Sequence, residues 1–174
     1  MKSVLISIKP KWVEKICKGE KTIEVRKTKP KFERPFKCYI YQTIGGGVKG
    51  DIIISSGLQC GKVIGEFTCD KIYDFPYKNS NYFSHYNINI MENACLTLNE
   101  IHAYGNGKTL YGLDISDLKI YDKPKELSEF RKCEWYCKLG ETTVSWCIDC
   151  NLCNKGRLTR PPQSWFYVED LGEE

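Results

Sequence analysis

Lys18-Gly19-Glu20-Lys21-Thr22-Ile23-Glu24-Val25-Arg26 is the stretch that decides how this chain is read. Before it, Pro10 suits the first position of a helix. Trp12, Val13, Ile16 and Cys17 then recur at helical spacing, which makes one apolar face, and Lys11, Glu14, Lys15 and Lys18 take the other. Gly19 stops that helix, because glycine accepts the left-handed conformation a helix terminus commonly needs. From Lys21 to Val25 the period changes to two. Ile23 and Val25 face one way, and Thr22, Glu24 and Arg26 face the other, as in a half-buried strand. Glutamate and arginine are thus delivered to one surface, with Lys21 at the rim where the strand begins.

Working outward, Ser3–Ile8 reads as a strand before the helix. Residues 27–37 form a basic loop, with Pro30 and Pro35 excluding regular structure. Lys37–Thr43 and Asp51–Ser55 read as strands around the Gly45-Gly46-Gly47 break. Lys62–Tyr73 reads as one long strand bent at Gly65, and Leu110–Tyr121 as another. Residues 74–94 show no period and read as a loop with one helical turn at most. Thr97 and Glu100 have the spacing of a capping box, opening a short helix that ends near Gly105. Pro161-Pro162 leads into a last strand, Ser164–Glu169. Short strands with two or three short helices predict a single α+β domain over 1–174, a small mixed β-barrel.

Three pieces carry a family resemblance. The helix-to-strand stretch, with its Gly19-x-Lys21-x-x-Glu24-x-Arg26 pattern, resembles the signature of the ASCH family. Gly61-Lys62-Val63-Ile64-Gly65-Glu66-Phe67 resembles that family's following barrel strand. Arg160-Pro161-Pro162-Gln163-Ser164-Trp165 is similar to the last strand of ASCH proteins carried by phages and prophages of Gram-positive bacteria. The resemblance spans about 1–130 and 157–171. It implies a PUA-like β-barrel that binds RNA or modified nucleosides. One branch of small relatives hydrolyses N4-acylated cytidines, with a lysine matching Lys21, a threonine where this chain has Glu24, and a downstream glutamate matching Glu92 or Glu100.

The residue types suit such a pocket. A lysine in a partly dry cleft serves as base or nucleophile when its pKa falls, and a carboxylate beside it relays a proton. Lys21 and Glu24 are therefore the candidate catalytic pair. Arginine clamps phosphate or stacks on a base, so Arg26 joins Lys9 and Trp12 as a candidate ligand contact. Glu66 lies in an otherwise apolar strand and needs a partner or exposure to the pocket; it is a further candidate ligand contact, or a buttress with Arg26 as the expected partner. The alternative for these charges is an exposed ion-pair ladder, and for Trp12 a place in the core.

Charge is segregated. Residues 1–37 hold 12 Lys/Arg against 4 Asp/Glu, and the rest 14 against 18, in a chain of net charge +4. A basic end of this kind tracks phosphate or steers an anionic ligand; its plainer reading is a solvated helix face and a lysine-rich loop. Gly57, Gly61 and Lys62 do not make a phosphate loop, since Val63 follows the lysine and the glycine spacing is short by one. His85 and His102 are isolated. No stretch approaches the ~18 apolar residues of a membrane span, and Val4–Ile8 is too short for a signal-peptide core, so a cytoplasmic protein is expected.

Ten cysteines in such a compartment are expected as thiols or metal ligands. Cys133-x3-Cys137 and Cys147-x2-Cys150-x2-Cys153 crowd into 131–157, a cysteine-rich insertion. Two short pairs about ten residues apart can wrap one structural zinc, with Cys133, Cys137, Cys147 and Cys150 as ligands and Cys153 as the spare fifth. A disulfide or packed thiols are the alternatives. Three functions remain open: an RNA or nucleoside binder, a hydrolase of RNA or acylated cytidine, and a protein-binding accessory factor.

Overall fold

The computed structural model describes residues 2–44, 60–75, 85–133 and 156–172. Its elements run β1 (Lys2–Ile8), α1 (Pro10–Cys17), β2 (Ile23–Arg26), β3 (Phe36–Gln42), β4 (Val63–Cys69), β5 (Ile72–Phe75), α2 (His85–Asn93), α3 (Leu98–Gly105), β6 (Leu110–Asp114), β7 (Ser116–Lys125) and β8 (Trp165–Glu169). Helix α1 starts at Pro10 and is followed by Gly19 at φ +72°, the left-handed turn expected of that glycine. Helix α3 opens on the complete Thr97–Glu100 capping box.

Five strands pair in the order β7-β4-β3-β1-β8, and three in the order β2-β6-β5. β1 runs parallel to β3 with Val4 opposite Cys38, and antiparallel to β8. Because β1 is interior, both pleat faces are buried. Val4, Ile6, Ile8, Cys38 and Ile40 meet Val13 and Ile16 of α1 on one face. Leu5, Tyr39, Tyr41 and Val168 meet Phe130 and Leu158 on the other. A third cluster joins the small sheet to α2 and α3 through Ile23, Val25, Ile90, Ala94 and Ile101.

A mixed α+β fold is what the sequence predicts, but a closed barrel is not what the strands form. Each of the two long strands read from the sequence is broken and shared between the sheets. Lys62–Tyr73 divides into β4 and β5, and Leu110–Tyr121 into β6 and β7. The two crossing points are bonded together: Ser116 Oγ donates to Thr68 O (2.9 Å) and Asp70 Oδ2 (2.5 Å), and Asp114 N donates to Lys71 O (3.0 Å). Apolar residues resume close beyond each break, Ile72 after Cys69 and Ile115 after Leu113, so the pattern reads each pair as one strand. At Gly65 the β7 backbone comes so close that a Cβ would lie 2.4 Å from Lys119 O. The glycine serves close approach between strands as well as curvature.

Residues 74–94, read as a loop, include helix α2. Ile90, with Ala94 just beyond the helix end, joins the third cluster, and Met91 packs against it.

Candidate functional site

A cleft of about 500 Å³ opens where the end of β1, the start of α1, strand β2, helix α3 and residues 162–164 converge. Its innermost charges are Lys21, Glu24 and Arg26, which are 2%, 3% and 8% exposed. Burying three charges is costly unless they are paired and bonded, and the surrounding backbone supplies most of the bonds. After the Gly19 turn, Lys21 points inward. Its ammonium donates to Ile23 O (2.8 Å) and to Ala94 O (2.7 Å), a carbonyl at the C-terminal end of α2, where the helix dipole favours a cation. It also forms an ion pair with Glu24 Oε2 at 3.4 Å. Burial lowers the Lys21 pKa, and the Glu24 carboxylate opposes that shift.

Arg26 is fixed by three acceptors. One terminal nitrogen donates to Glu24 Oε1 and to Val25 O, and the other donates to Ser7 O at 2.6 Å. Two buried polar atoms are left without a hydrogen bond, Arg26 Nε and Glu24 Oε2. Ser7 Oγ donates to Pro162 O (2.7 Å), which draws residues 162–164 onto the cleft wall. The Trp12 ring forms another wall. Lys21 Nζ lies 5.1 Å from its centroid and Lys11 Nζ 4.2 Å. Lys9 stands exposed at the mouth.

Lys9, Trp12, Lys21, Glu24 and Arg26 are thus gathered in one cleft, and Lys21, Glu24 and Arg26 are buried rather than laddered on the surface. Glu66 is not among them, and Arg26 is not its partner. The pleat of β4 turns Glu66 to the opposite face of the five-stranded sheet, across from Tyr39. There Tyr121 donates to it at 2.5 Å and Lys37 lies 3.7 Å away, beside a separate depression of about 400 Å³. The sequence places Glu66 in a strand but does not say which pleat face meets the cleft.

The cleft also contains residues that the sequence did not single out for it: Ser7, Tyr104, Gln163 and Ser164. Glu100 lines it too, while accepting from Thr97 N in the capping box (2.9 Å); Glu92 does not line it. Tyr104 sits on the same face of α3 as Glu100, four residues on, and that i, i+4 relation was the available signal. The basic loop is pinned rather than free. Trp165 Nε1 donates to Thr28 Oγ1 (3.1 Å), and Lys31 N donates to Tyr167 OH (2.7 Å).

No family model matches the sequence, and no curated protein matches it. The fold does have counterparts among solved structures. An ASCH protein from Zymomonas mobilis aligns with a TM-score of 0.58 and 19% identity, over 96% of this chain and 87% of that one. The fold is shared with an ASCH protein. A variant of that protein with tyrosine replaced by phenylalanine gives 0.58 and 19%, covering 96% and 90%. A serine-to-alanine variant gives 0.58 and 18%, covering 96% and 88%.

Of the cysteines expected to hold zinc, Cys133 is buried, its backbone N–H donating to Tyr167 O at 3.0 Å. Cys137, Cys147, Cys150 and Cys153 lie outside the described residues. Among the described residues no group of three or more His, Cys, Asp or Glu is placed to hold a metal. Among those same residues no helix is long and apolar enough to cross a membrane.

Proposed function

We propose that this chain is an ASCH-type protein of the cytoplasm that binds RNA or a modified nucleoside in the Lys21–Glu24–Arg26 cleft. The observation that carries the reading is the cleft itself, which gathers a carboxylate acceptor on Glu24, a guanidinium donor on Arg26 and the Trp12 ring. Every nucleobase presents an adjacent donor and acceptor on its pairing edge, and an unpaired base offers that edge to protein. Trp12 supplies an aromatic wall for the base. Four cationic side chains line the cleft against two anionic ones, which favours a ligand that carries phosphate.

The test is calorimetric titration with cytidine, N4-acetylcytidine, the four nucleoside monophosphates and a short single-stranded RNA. Saturable binding of at least one of them, abolished by Glu24→Gln in protein shown to be folded by circular dichroism, is the expected result. Binding that survives Glu24→Gln unchanged places the ligand elsewhere and ends the reading.

A hydrolase is the second reading, favoured by one observation: burial lowers the pKa of Lys21, next to a carboxylate, inside an open cleft. Glu100, which lines the same cleft, then corresponds better than Glu92 to the downstream glutamate of the acylcytidine hydrolases. Release of acetate from N4-acetylcytidine, or cleavage of an RNA pool, lost on Lys21→Met, supports it. No turnover of either substrate removes it. The cysteine-rich 131–157 insertion is proposed to hold one structural zinc, which elemental analysis of the purified protein checks as one metal per chain.

A further inference from the structure

Three aromatic rings around the cleft carry a lysine ammonium, and two of them lead away from it. Tyr104 lines the cleft on α3, is 39% exposed and belongs to none of the three core clusters. Lys27 Nζ lies 5.0 Å from its ring centroid. Tyr111 stands directly opposite Arg26 in the β2–β6 pairing. Lys29 Nζ lies 4.6 Å from that ring. The two rings are therefore tied to the cleft from both sides, Tyr104 by lining it and Tyr111 by its pairing with Arg26. Lys27 and Lys29 follow Arg26 in sequence. This path is part of the basic N-terminal 37 residues. The third ring, Trp12 with Lys11, is already inside the cleft.

Aromatic faces alternating with cations along a groove are what an unpaired nucleic-acid strand binds. Bases stack on the rings, and phosphates meet the ammonium groups. A duplex keeps its bases stacked on one another and offers them to neither the cleft nor the tyrosines. A free nucleoside fills the cleft and leaves Tyr111 unused. We propose that the cleft takes one nucleotide of a single-stranded polynucleotide, and that Tyr104–Lys27 and Tyr111–Lys29 are flanking subsites for its neighbours. This rests on the reading of the cleft as a base site. Lys29 is at present held by Asp74 at 3.1 Å. That aspartate is largely exposed, and an incoming phosphate takes its place beside the ammonium.

The experiment compares a labelled single strand of about ten nucleotides, a length within the site sizes of such grooves, with its duplex and with the matching mononucleotide. RNA and DNA versions are both used. The single strand is expected to bind more tightly than the mononucleotide and the duplex. Tyr104→Ala is expected to weaken single-strand binding by about tenfold, the loss of one stacked base. The mononucleotide affinity is expected to fall by less, since Tyr104 also lines the cleft, and Tyr104→Trp restores the strand. Lys27→Ala with Lys29→Ala is expected to reduce the slope of log K against log salt by roughly 0.7 per lysine. Either ranking of RNA against DNA supports the subsites and names the sugar.

A single strand that binds no better than the mononucleotide overturns the flanking subsites and leaves the cleft standing. So does a Tyr104→Ala variant that changes neither affinity. If neither strand nor mononucleotide binds the unaltered protein, the cleft reading fails and the subsites fail with it. Equal losses for Tyr104→Ala and Tyr104→Trp overturn stacking as the role of that ring.

Discussion

Replacing Glu24 by glutamine keeps the size of the side chain, removes its charge and turns one acceptor oxygen into an NH2 donor. Lys21 and Arg26 are then left as two cations, 2% and 8% exposed, with no counter-ion between them. Breaking a buried pair by removing one partner costs about 3–5 kcal/mol. The glutamine oxygen still accepts from Arg26, and Lys21 keeps its bonds to Ile23 O and Ala94 O, so the lower end, about 3 kcal/mol, is expected. For a chain of this size 1 kcal/mol moves Tm by roughly 2–4 °C, giving a fall of about 6–12 °C. Thermal unfolding followed by circular dichroism at neutral pH measures it.

The pH dependence is a second readout of the same variant. Burial lowers the Lys21 pKa and Glu24 opposes this, so E24Q lowers it further. A lysine whose folded pKa lies below its unfolded value binds fewer protons when folded. Its penalty is complete below the folded pKa and is relieved as pH rises toward the ordinary lysine value of about 10.4. The deficit of E24Q is therefore expected to shrink from neutral pH toward pH ~10. It does not vanish, because Arg26 stays charged. A fall in Tm of less than about 3 °C, equivalent to about 1 kcal/mol, or a deficit that does not change with pH, would refute the buried triad. Glu66→Gln is the internal control. That carboxylate is one-fifth exposed, with its Lys37 partner 3.7 Å away and shared with Asp170, so its loss is expected to cost under about 1 kcal/mol.

Tyr39 and Tyr121 have pKa values pushed far up, first by burial and then by their bonds to Asp170 and Glu66. A raised folded pKa contributes stability that is complete below the ordinary phenol value of about 10 and is lost as pH climbs toward the folded value. Tm is expected to drop above pH ~10, and Tyr121→Phe to make that drop shallower; an unchanged slope in the variant removes Tyr121 from the account. Thr97→Ala removes the side-chain acceptor of the capping box at the start of α3. A loss of about 1 kcal/mol in urea unfolding is expected, and no change means the helix is held by packing alone. Gly65→Ala drives a methyl against Lys119 O and is expected to cost about 1–3 kcal/mol by overpacking, with normal stability showing that β7 shifts freely away from β4.

What was legible in the sequence was whatever is encoded locally. The turn at Gly19, the cap at Thr97 and the alternation from Ile23 to Arg26 each depend on a few neighbouring residues, and the structure has all three where the residues put them. The breaks at residues 70–71 and at Ile115 are different. They exist because Ser116, Asp70, Lys71 and Thr68 bond across about 46 residues of sequence, and hydrophobic alternation carries no trace of such a bond. The barrel expectation failed at those positions. A strand that changes sheets looks the same in sequence as one that continues.

The same distinction explains the site. Glu24 and Arg26 lie two apart on one short strand, so a period-two reading gathers that pair unaided, while Lys21 precedes the strand and joins them through its bonds to Ile23 O and Ala94 O. Glu66 belongs to another strand, and its face is set by the register of β4 against β3, where Tyr39 is its opposite number. One step of register would have turned it toward the other face. Lys21 itself depends on a helix the sequence did not announce. Ala94 O accepts from its ammonium, and Asn93 O accepts from Thr22 N at 2.9 Å. α2 ends where its last carbonyls meet a buried cation. Lys21→Met, which removes that charge while keeping a long apolar stem, should accordingly loosen α2 more than α3. Amide hydrogen exchange checks this, with faster exchange expected across residues 89–96 and little change across 98–105; equal protection in both helices would show that Ile90 and Ala94 hold α2 without the lysine.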